Sequence, residues 1–317
     1  MPEGPEVRKY ADALDHVLTG RVVTSLEART RDAKEWLQTN ERRVVGQRVT
    51  SVVSHGKHLI GYLSGGFFFH SHLMMWGRWQ TFGPVPKTKK SKSSEPFSLP
   101  EKDRRERARI VVEGGAAVLL SAPIFNAGKG DPYKKIENLQ TLGPDVLPYN
   151  RNFDHAELKR RLFEYLQLPI GAALLNQRIV AGLGNYLRAE VLFACKLDPW
   201  RLVADLTERD FDCLIRTIPK LAWRAYKKTA TAGKGDREKM TNDATLVYQP
   251  GREYGTRHLV FRRTNLPCLR CGEKIRQLRQ KTYNNDQVED QNERTRIVYF
   301  CAKCQKVDLD KVRMSQV

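Results

Sequence analysis

The stretch that decides the fold of this 317-residue chain reads Val180-Ala181-Gly182-Leu183-Gly184-Asn185-Tyr186-Leu187-Arg188-Ala189-Glu190. Its two glycines allow tight backbone turns between helices, and Asn185 can cap the helix that follows. Exposed amides at such a helix start form a site for anions. A dinucleotide-binding phosphate loop is the alternative, but no β-strand precedes these glycines and the third glycine of that motif is missing. The stretch therefore predicts a helical region with a site for an anion.

Helical patterns surround this stretch from about residue 154 onward. Apolar residues at helical spacing predict helices over residues 154–166, 172–179, 185–197 and 208–228. Residues 143–148 have the composition of a connection to the preceding region. Cys195 and Cys213 stand alone on apolar helical stretches, so we expect them to pack as small buried side chains.

The charge of the chain indicates a polyanionic partner. Lys and Arg total 55 against 36 Asp and Glu, which gives a formal net charge of +19. Nucleic acid is the leading candidate for that partner. The sequence has no apolar run of about 20 residues, no lipidation motif and no secretion signal, so we expect no membrane attachment and a cytoplasmic or nucleoid location.

The first part of the chain predicts a helix followed by strands. Residues 2–18 have a helical period, and the segments that follow are short, β-rich and separated by Gly or polar residues. These segments are residues 21–23, 49–53, 59–63, 67–70, 110–113 and 117–120. Together they predict a β-sandwich. Residues 84–107, rich in Pro, Ser, Lys and Arg, predict a mobile surface loop that either contacts DNA or is a solvated face.

Four of the six cysteines form two Cys-x-x-Cys pairs near the C-terminus. Four thiolates in two chelating pairs suit tetrahedral zinc with no open coordination position, and the predicted ligands are Cys268, Cys271, Cys301 and Cys304. A redox role is disfavoured, because it needs one such pair in a βα context. Residues 296–300 have strand composition, so we expect one structural zinc ion to hold a β-hairpin.

The N-terminus reads Met1-Pro2-Glu3-Gly4-Pro5-Glu6. Loss of Met1 would leave Pro2 with a free secondary amine beside a carboxylate. An α-amino group has a pKa of roughly 8, so a useful fraction is unprotonated near neutral pH and can attack an electrophilic carbon. The alternative is an ordinary flexible terminus.

Two further motifs lie in the β-rich region. In Ser54-His55-Gly56-Lys57-His58, a glycine turn leads a lysine into a strand. In the segment from His70 to Arg78, we expect hydrogen-bonded histidines rather than a metal site, because no acidic partner is near. Large apolar residues there, Met74, Met75 and Trp76, belong either to the core or to a wedge inserted between stacked bases.

Together, the Pro2–Glu6 start, the Gly56-Lys57 turn, the Gly182–Glu190 segment and the four-cysteine finger resemble the formamidopyrimidine-DNA glycosylase and endonuclease VIII family. The match spans the chain and keeps its order. The fuller segment that begins Leu174-Leu175-Asn176-Gln177 is similar to the endonuclease VIII branch, which removes oxidised pyrimidines.

The resemblance implies three domains: a catalytic β-sandwich over residues 1–142, a helix-two-turns-helix DNA-binding domain over 154–262 and a zinc finger over 263–306. It implies a monomer that holds damaged double-stranded DNA in a cleft and flips the base out. Pro2 would attack C1′ and expel the base through a Schiff base, with Glu3 as general acid/base. Both flanking phosphates would then be eliminated, which nicks the strand.

The resemblance also assigns DNA contacts. Lys57, Asn185 and Arg296 match positions that grip phosphates around the lesion, and Lys57 and Arg296 join Pro2 and Glu3 in the predicted catalytic set. Met74, Met75 and Trp76 match residues that fill the vacated space.

Several features depart from the formamidopyrimidine branch or mix the two branches. Residues 121–125 replace an Asp-x-Arg-Arg-Phe-Gly-type loop, and Gly171 stands where that branch carries a DNA-contacting lysine. Residues 72–78, however, resemble the formamidopyrimidine branch, and residues 281–293 lengthen the finger. One alternative is therefore the same mechanism acting on formamidopyrimidine or 8-oxoguanine. The other is a protein that binds damaged DNA without catalysis, because the positive charge, the finger and the glycine turn would support DNA binding as well.

Overall fold

The computed structural model describes residues 2–83, 97–228, 258–282 and 294–314. The chain divides into two compact units, Met1–Thr141 and Leu142–Val317. The further division of the second unit into a helical domain and a finger stays a prediction.

The first unit begins with a helix and continues as two antiparallel four-stranded sheets. Its elements are α1 (Gly4–Leu18), β1 (Val23–Ala28), α2 (Arg31–Val44), β2 (Val49–His55), β3 (His58–Leu63), β4 (Phe67–His72), β5 (Arg78–Phe82), β6 (Glu106–Val112), β7 (Gly115–Leu120), β8 (Ile124–Lys129), α3 (Pro132–Lys135) and α4 (Glu137–Gln140). The sheet orders are β1-β6-β7-β5 and β2-β3-β4-β8.

One apolar core joins the two sheets and the first two helices. Strand side chains alternate between faces, so each sheet contributes every second residue to this core, including Ile110 and Leu119 from one sheet and Leu59 and Phe69 from the other. Helix α1 adds Leu14 to the same core. The predicted β-sandwich is therefore present.

Sequence patterns missed five elements of this unit: α2, β5, β8 and the short helices α3 and α4. Helix α2 buries Ala33, Leu37 and Val44 at helical spacing, Trp36 packs partly buried beside them, and its other residues are polar. The signal was present in that spacing. Its polar composition hid it among the β-rich segments.

The predicted mobile loop over residues 84–107 is partly corrected. Residues 84–96 lie outside the described residues. The remainder is tied down by Arg109, which is buried, pairs with Glu106 and donates to the carbonyl oxygens of Pro100 (2.8 Å) and Glu101 (3.1 Å). Residues 106 and 107 belong to β6.

The second unit is helical and ends in a β-hairpin. Its elements are α5 (His155–Phe163), α6 (Ile170–Ala173), α7 (Asn185–Ala194), α8 (Glu208–Lys228), β9 (Arg276–Thr282), β10 (Arg294–Phe300), α9 (Ala302–Gln305) and α10 (Leu309–Met314). Val146 and Leu147 are buried in its core with residues of α5, α7 and α8. Residues 143–148, predicted as a connection, are thus built into this unit.

The helix predicted over residues 172–179 is wrong. Helix α6 ends at Ala173, because Asn176 turns the chain instead of continuing the helix. The Asn176 side chain accepts a hydrogen bond from the backbone N–H of Arg178 at 3.0 Å. Such local bonds compete with helical ones.

The prediction for Cys195 and Cys213 is also wrong, because the two residues form a disulfide. Cys195 follows the last residue of α7, and Cys213 lies in α8. The two cysteines lie 18 residues apart on separate apolar stretches, so no local pattern indicates that they meet. The packing of α7 against α8 brings the two sulfurs together.

None of the described helices combines the length and the apolar character that a bilayer crossing needs.

We expect Cys213→Ser to lower the unfolding temperature under non-reducing conditions. Closing a loop of this length restricts the unfolded chain and stabilises the folded one by about 3 kcal/mol. Thermal unfolding of both proteins, with and without a phosphine reductant, checks this. Reductant should lower the melting temperature of the wild type and leave that of Cys213→Ser unchanged. A wild-type melting temperature that does not change with reductant would contradict the presence of the disulfide.

Candidate functional site

The residues Pro2 and Glu3 lie at a fixed point, the start of helix α1. Glu3 is buried and precedes the helix in extended conformation. Its backbone N–H donates to the Glu6 carboxylate at 2.9 Å. The helix behind them is anchored by Val7 and Leu14 in the sandwich core. Pro2 is therefore held by a rigid helix rather than by a loose terminus.

A two-residue turn between β2 and β3 positions Lys57. His55 and His58 face each other as the last pair of the ladder, with Gly56 and Lys57 between them. Gly56 has φ of 57°, a conformation that hairpin turns of this length require and that glycine adopts without strain. Lys57 itself is buried.

Three histidines lie on one face of the sheet beside this turn. The register pairs His58 with His72, and His70 follows two residues earlier on β4. His58 Nδ1 and His70 Nε2 lie 2.9 Å apart, the Asn126 amide contacts His70 Nδ1 at 3.1 Å, and the Met74 N–H donates to His72 Nδ1 at 3.2 Å. The prediction of hydrogen-bonded histidines is confirmed.

These histidines are neutral at physiological pH. Burial lowers the pKa of His70 to about 3, and burial together with the nearby Lys57 ammonium lowers the pKa of His72 to about 4. The pKa of His58 is also far below its usual value, because of burial first and of the other histidines next. Lys57 is therefore bordered by uncharged rings.

The residues Met74, Met75 and Trp76 are not core residues. They form a turn after β4 and are 41%, 56% and 80% exposed. The turn is closed by Gly77, where a Cβ would lie 2.4 Å from the Leu73 carbonyl oxygen. Of the two alternatives, the core is excluded, and three adjacent apolar side chains project into solvent.

The glycine turn of the second unit is closed by one amide side chain. Gln177 donates to the carbonyl oxygens of Leu175 and Leu183, both at 2.9 Å, and accepts from the Gly182 N–H at 3.0 Å. Gly182 has φ of 105°, which favours glycine.

Asn185 has a different role from the one predicted. Gly184 is the residue that precedes α7, and Asn185 is the first residue of the helix and does not cap it. Its Oδ1 accepts from Arg188 Nη2 at 2.8 Å. A guanidinium can only donate, so the Asn185 oxygen is the atom that faces Arg188, and the NH2 group lies on the other side of the amide. Two N–H donors of this kind suit a phosphate oxygen.

Sequence reasoning missed the buried polar residues of α7. The Glu190 carboxylate accepts from the backbone N–H groups of Leu259, Val260 and Phe261 at 2.8, 3.0 and 3.1 Å. Burial raises the pKa of Glu190 although these amides favour its ionised form. Arg188 is fully buried and donates to Ile297 O of the hairpin at 2.8 Å. Charged residues within an apolar helix were the available signal.

The four predicted zinc ligands come together. The sulfurs of Cys268, Cys271, Cys301 and Cys304 all lie within 4.8 Å of one another. Two of the separations are 3.9 Å (Cys268–Cys304) and 3.5 Å (Cys271–Cys301). Tetrahedral zinc with Zn–S bonds of about 2.3 Å requires about 3.8 Å between sulfurs, so the set fits such an ion.

The cysteine cluster docks onto helix α7. Backbone amides of Arg270 and Cys304 donate to Cys268 Sγ and Cys301 Sγ, both at 3.4 Å, and such donors stabilise thiolates. A hydrogen bond from the Glu273 amide lowers the pKa of Cys271 to about 7. Arg270 donates to Phe193 O at 3.2 Å and lies 4.4 Å from the centre of the Phe193 ring.

Arg296 lies on β10, where the register pairs it with Gln280 of β9. Its side chain is exposed and makes no hydrogen bond or ion pair with any residue that the structure describes. Its guanidinium is thus available to an anion.

Comparisons with known proteins identify both units. Residues 1–121 match the formamidopyrimidine-DNA glycosylase N-terminal domain, and residues 142–234 match the H2TH domain of the same glycosylase. The chain is 29% identical over 275 residues to endonuclease 8 of Klebsiella pneumoniae subsp. pneumoniae, covering 86% of this chain and 92% of that protein. It is 29% identical over 311 residues to endonuclease 8 of Salmonella arizonae, covering 96% and 100%.

Solved structures of the same fold support this assignment. The MutM (Fpg) protein from Thermus thermophilus superimposes with a TM-score of 0.67 at 26% identity, covering 97% of this chain and 100% of that one. The Fpg of Lactococcus lactis in complex with DNA containing an abasic site superimposes with a TM-score of 0.68 at 21% identity, covering 96% and 100%. The predicted α+β fold, with a β-sandwich, a helical domain and a four-cysteine hairpin, is confirmed.

We expect the free energy of unfolding to fall as the pH drops from 6.5 to about 4. The unfolded histidines take up protons near pH 6.5, whereas in the folded protein buried His70 and half-buried His72 stay neutral to about pH 3 and 4. The unfolded state then binds more protons, which costs up to about 1.4 kcal/mol per pH unit for each histidine. Denaturant unfolding between pH 5 and 6.5 measures the slope. His70→Gln should flatten it, and an unchanged slope would contradict the assignment.

We also expect the purified protein to contain one zinc ion per chain and to lose stability on chelation, because a metal that binds only the folded ligand set stabilises folding. Elemental analysis and thermal unfolding before and after chelator treatment measure both. Cys304→Ser should abolish binding. The matched control is Cys213→Ser, outside the cluster, which should keep its metal.

Proposed function

Because this chain belongs to the formamidopyrimidine-DNA glycosylase and endonuclease VIII family, we propose that it is a bifunctional glycosylase and lyase of base excision repair that removes oxidised pyrimidines. Its substrate would be damaged double-stranded DNA, on which it would act as a monomer.

The observation that carries this proposal is the position of Pro2 and Glu3. Once Met1 is removed, Pro2 would place a secondary amine next to the buried Glu3 carboxyl group at the start of an anchored helix, within the unit that matches the family's N-terminal domain. A binding protein has no need of that arrangement, since phosphate contacts alone give affinity.

The proposed reaction forms and breaks bonds in a defined order. The Pro2 nitrogen attacks C1′, the bond from C1′ to the base breaks, and the base leaves with a proton. Glu3 protonates O4′ as the sugar ring opens, which leaves an iminium between Pro2 and C1′. Loss of a proton from C2′ then expels the 3′ phosphate, and a second elimination expels the 5′ phosphate. Hydrolysis of the iminium frees Pro2.

The remaining site residues would bind DNA, and Lys57 and Arg296 would support catalysis at Pro2 and Glu3 through their phosphate contacts. Lys57, Asn185 and Arg296 offer an ammonium, an amide NH2 group and an unpaired guanidinium, all of which are phosphate donors. Met74, Met75 and Trp76 would fill the gap left by the flipped nucleotide, for which their exposure is suited.

One structural zinc ion would be held by Cys268, Cys271, Cys301 and Cys304. A closed set of four thiolates leaves no position for water or substrate, so the ion would contribute folding stability and no reaction step. Its effect on DNA binding would come from keeping β9 and β10 in place.

Oxidised pyrimidines are favoured as substrates by the relatives named endonuclease 8 and by the lack of an Asp-x-Arg-Arg-Phe-Gly-type loop at residues 121–125. The second candidate is formamidopyrimidine or 8-oxoguanine. The His72-Leu73-Met74-Met75-Trp76-Gly77-Arg78 segment favours it, because it resembles that branch.

We expect borohydride to trap a covalent complex on duplexes containing thymine glycol or 5-hydroxyuracil, more than on those containing 8-oxoguanine. Pro2→Gly should trap little complex, because a primary amine replaces the preorganised secondary one. It should still bind a duplex with a tetrahydrofuran abasic analogue. Gel separation of the trapped species and of the nicked products measures both.

The same experiment decides between the alternatives. Trapping that is strongest on 8-oxoguanine would support the second candidate. A wild type that binds the abasic analogue but traps on no lesion would support a non-catalytic binder, and wild-type turnover by Pro2→Gly would refute the role of the terminal amine.

A further inference from the structure

A buried glutamine stands out in the polar strand β9. The strand reads Arg-Gln-Leu-Arg-Gln-Lys-Thr, yet Gln280 is only 2% exposed. Its neighbour Arg279 and the earlier Gln277 are exposed. A primary amide is costly to bury unless its donor and acceptor are both satisfied. The hydrogen bonds of Gln280 should therefore account for its burial.

Both ends of the Gln280 amide are bonded. Its Nε2 donates to Pro199 O at 2.8 Å, and its Oε1 accepts from Arg188 Nη1 at 3.3 Å. The first bond settles which end of the amide is which, because a carbonyl oxygen only accepts. The oxygen is thus presented to the Arg188 guanidinium.

Arg188 relays this contact to Asn185. One guanidinium nitrogen, Nη1, donates to Gln280 Oε1 and to Gly171 O (3.2 Å). The other, Nη2, donates to Asn185 Oδ1 and to Ile297 O, both at 2.8 Å. A planar guanidinium is rigid, so its orientation on one side determines where its donors point on the other.

The space around Gln280 allows little movement. A Cβ on Gly171 would lie 2.4 Å from Gln280 Oε1 and 2.8 Å from Pro199 O. Only glycine fits there while Gln280 keeps its position. The register also places Gln280 of β9 directly opposite Arg296 of β10, so the contact to Arg188 and the exposed guanidinium lie side by side on the two strands of one hairpin.

We propose that Gln280 is a positioning residue for DNA binding: through Arg188 it holds the Asn185 amide with its NH2 group outward, toward a phosphate. The proposal rests on the proposed function for its ligand. In this proposal the finger also affects DNA binding by the helical region, because Gln280 of β9 orients the Asn185 amide at the start of α7.

The test uses full-length protein and two substitutions at one site. Gln280→Met keeps the volume and removes both hydrogen bonds. Gln280→Glu keeps an acceptor for Arg188 and loses the donor to Pro199 O. Gln277→Met, on an exposed position of the same strand, is the control. Binding to a duplex with a tetrahydrofuran abasic analogue is measured with each unfolding temperature.

We expect Gln280→Met to weaken binding about tenfold, the effect of losing a hydrogen bond to a charged group, and Gln280→Glu to stay within about threefold of the wild type. Both lose the bond to Pro199 O, so both should melt earlier. A merely structural role predicts that affinity follows the melting temperature in both variants, and that result would overturn the proposal.

A double-mutant cycle with Asn185→Ala gives the second readout. Once the Asn185 amide is absent, Gln280→Met should weaken binding by less than about twofold, because nothing is left to orient. An undiminished tenfold loss in the Asn185→Ala background would overturn the proposal.

These outcomes are separate from the test of the enzyme. If borohydride traps a covalent complex but the effects of Gln280→Met and Asn185→Ala on binding are additive, the proposed function stands and only the role of Gln280 is refuted. If the two effects are coupled but no complex is trapped, Gln280 keeps its role in a protein that binds DNA without reacting. Wild-type protein that does not bind the duplex would overturn both.

Discussion

The second unit depends on buried charge in a single helix. Glu190 and Arg188 are one turn or less apart on α7, and they point to different partners: Glu190 to the backbone of residues 259–261 and Arg188 to the hairpin and to Asn185. An ionisable group buried without partners would cost several kcal/mol, so these contacts stabilise the folded unit. These contacts therefore tie helix α7 both to the segment that leads to the cysteines and to the hairpin.

In the first unit, by contrast, the histidine side chains around Lys57 are uncharged. Three neutral histidines border Lys57, and the turn beyond them carries three exposed apolar side chains. The histidine rings themselves add no positive charge beside Lys57, and their hydrogen bonds keep the strand ends in register.

Much of the fold could be predicted from the sequence, because its signals are local. Glycine turns, the two Cys-x-x-Cys pairs and the alternating strands each specify nearby structure, and these signals predicted the sandwich, the helical region and the cysteine cluster. What failed depended on contacts between distant residues: the bond between Cys195 and Cys213, and the inward turn of the Asn185 amide toward Arg188. The role of Gln280 was equally hidden, since nothing in a polar strand distinguishes the glutamine that faces inward until the register is known.

The sulfur chemistry of the second unit has a consequence for how the protein is made. Cys195 and Cys213 are joined by oxidation, whereas the four clustered cysteines must be thiolates to bind a metal. Bringing all six sulfurs into one oxidising step would offer fifteen pairings, of which few are compatible with the finger. An ion bound to the four clustered thiolates would keep them out of disulfide pairing while Cys195 and Cys213 are oxidised.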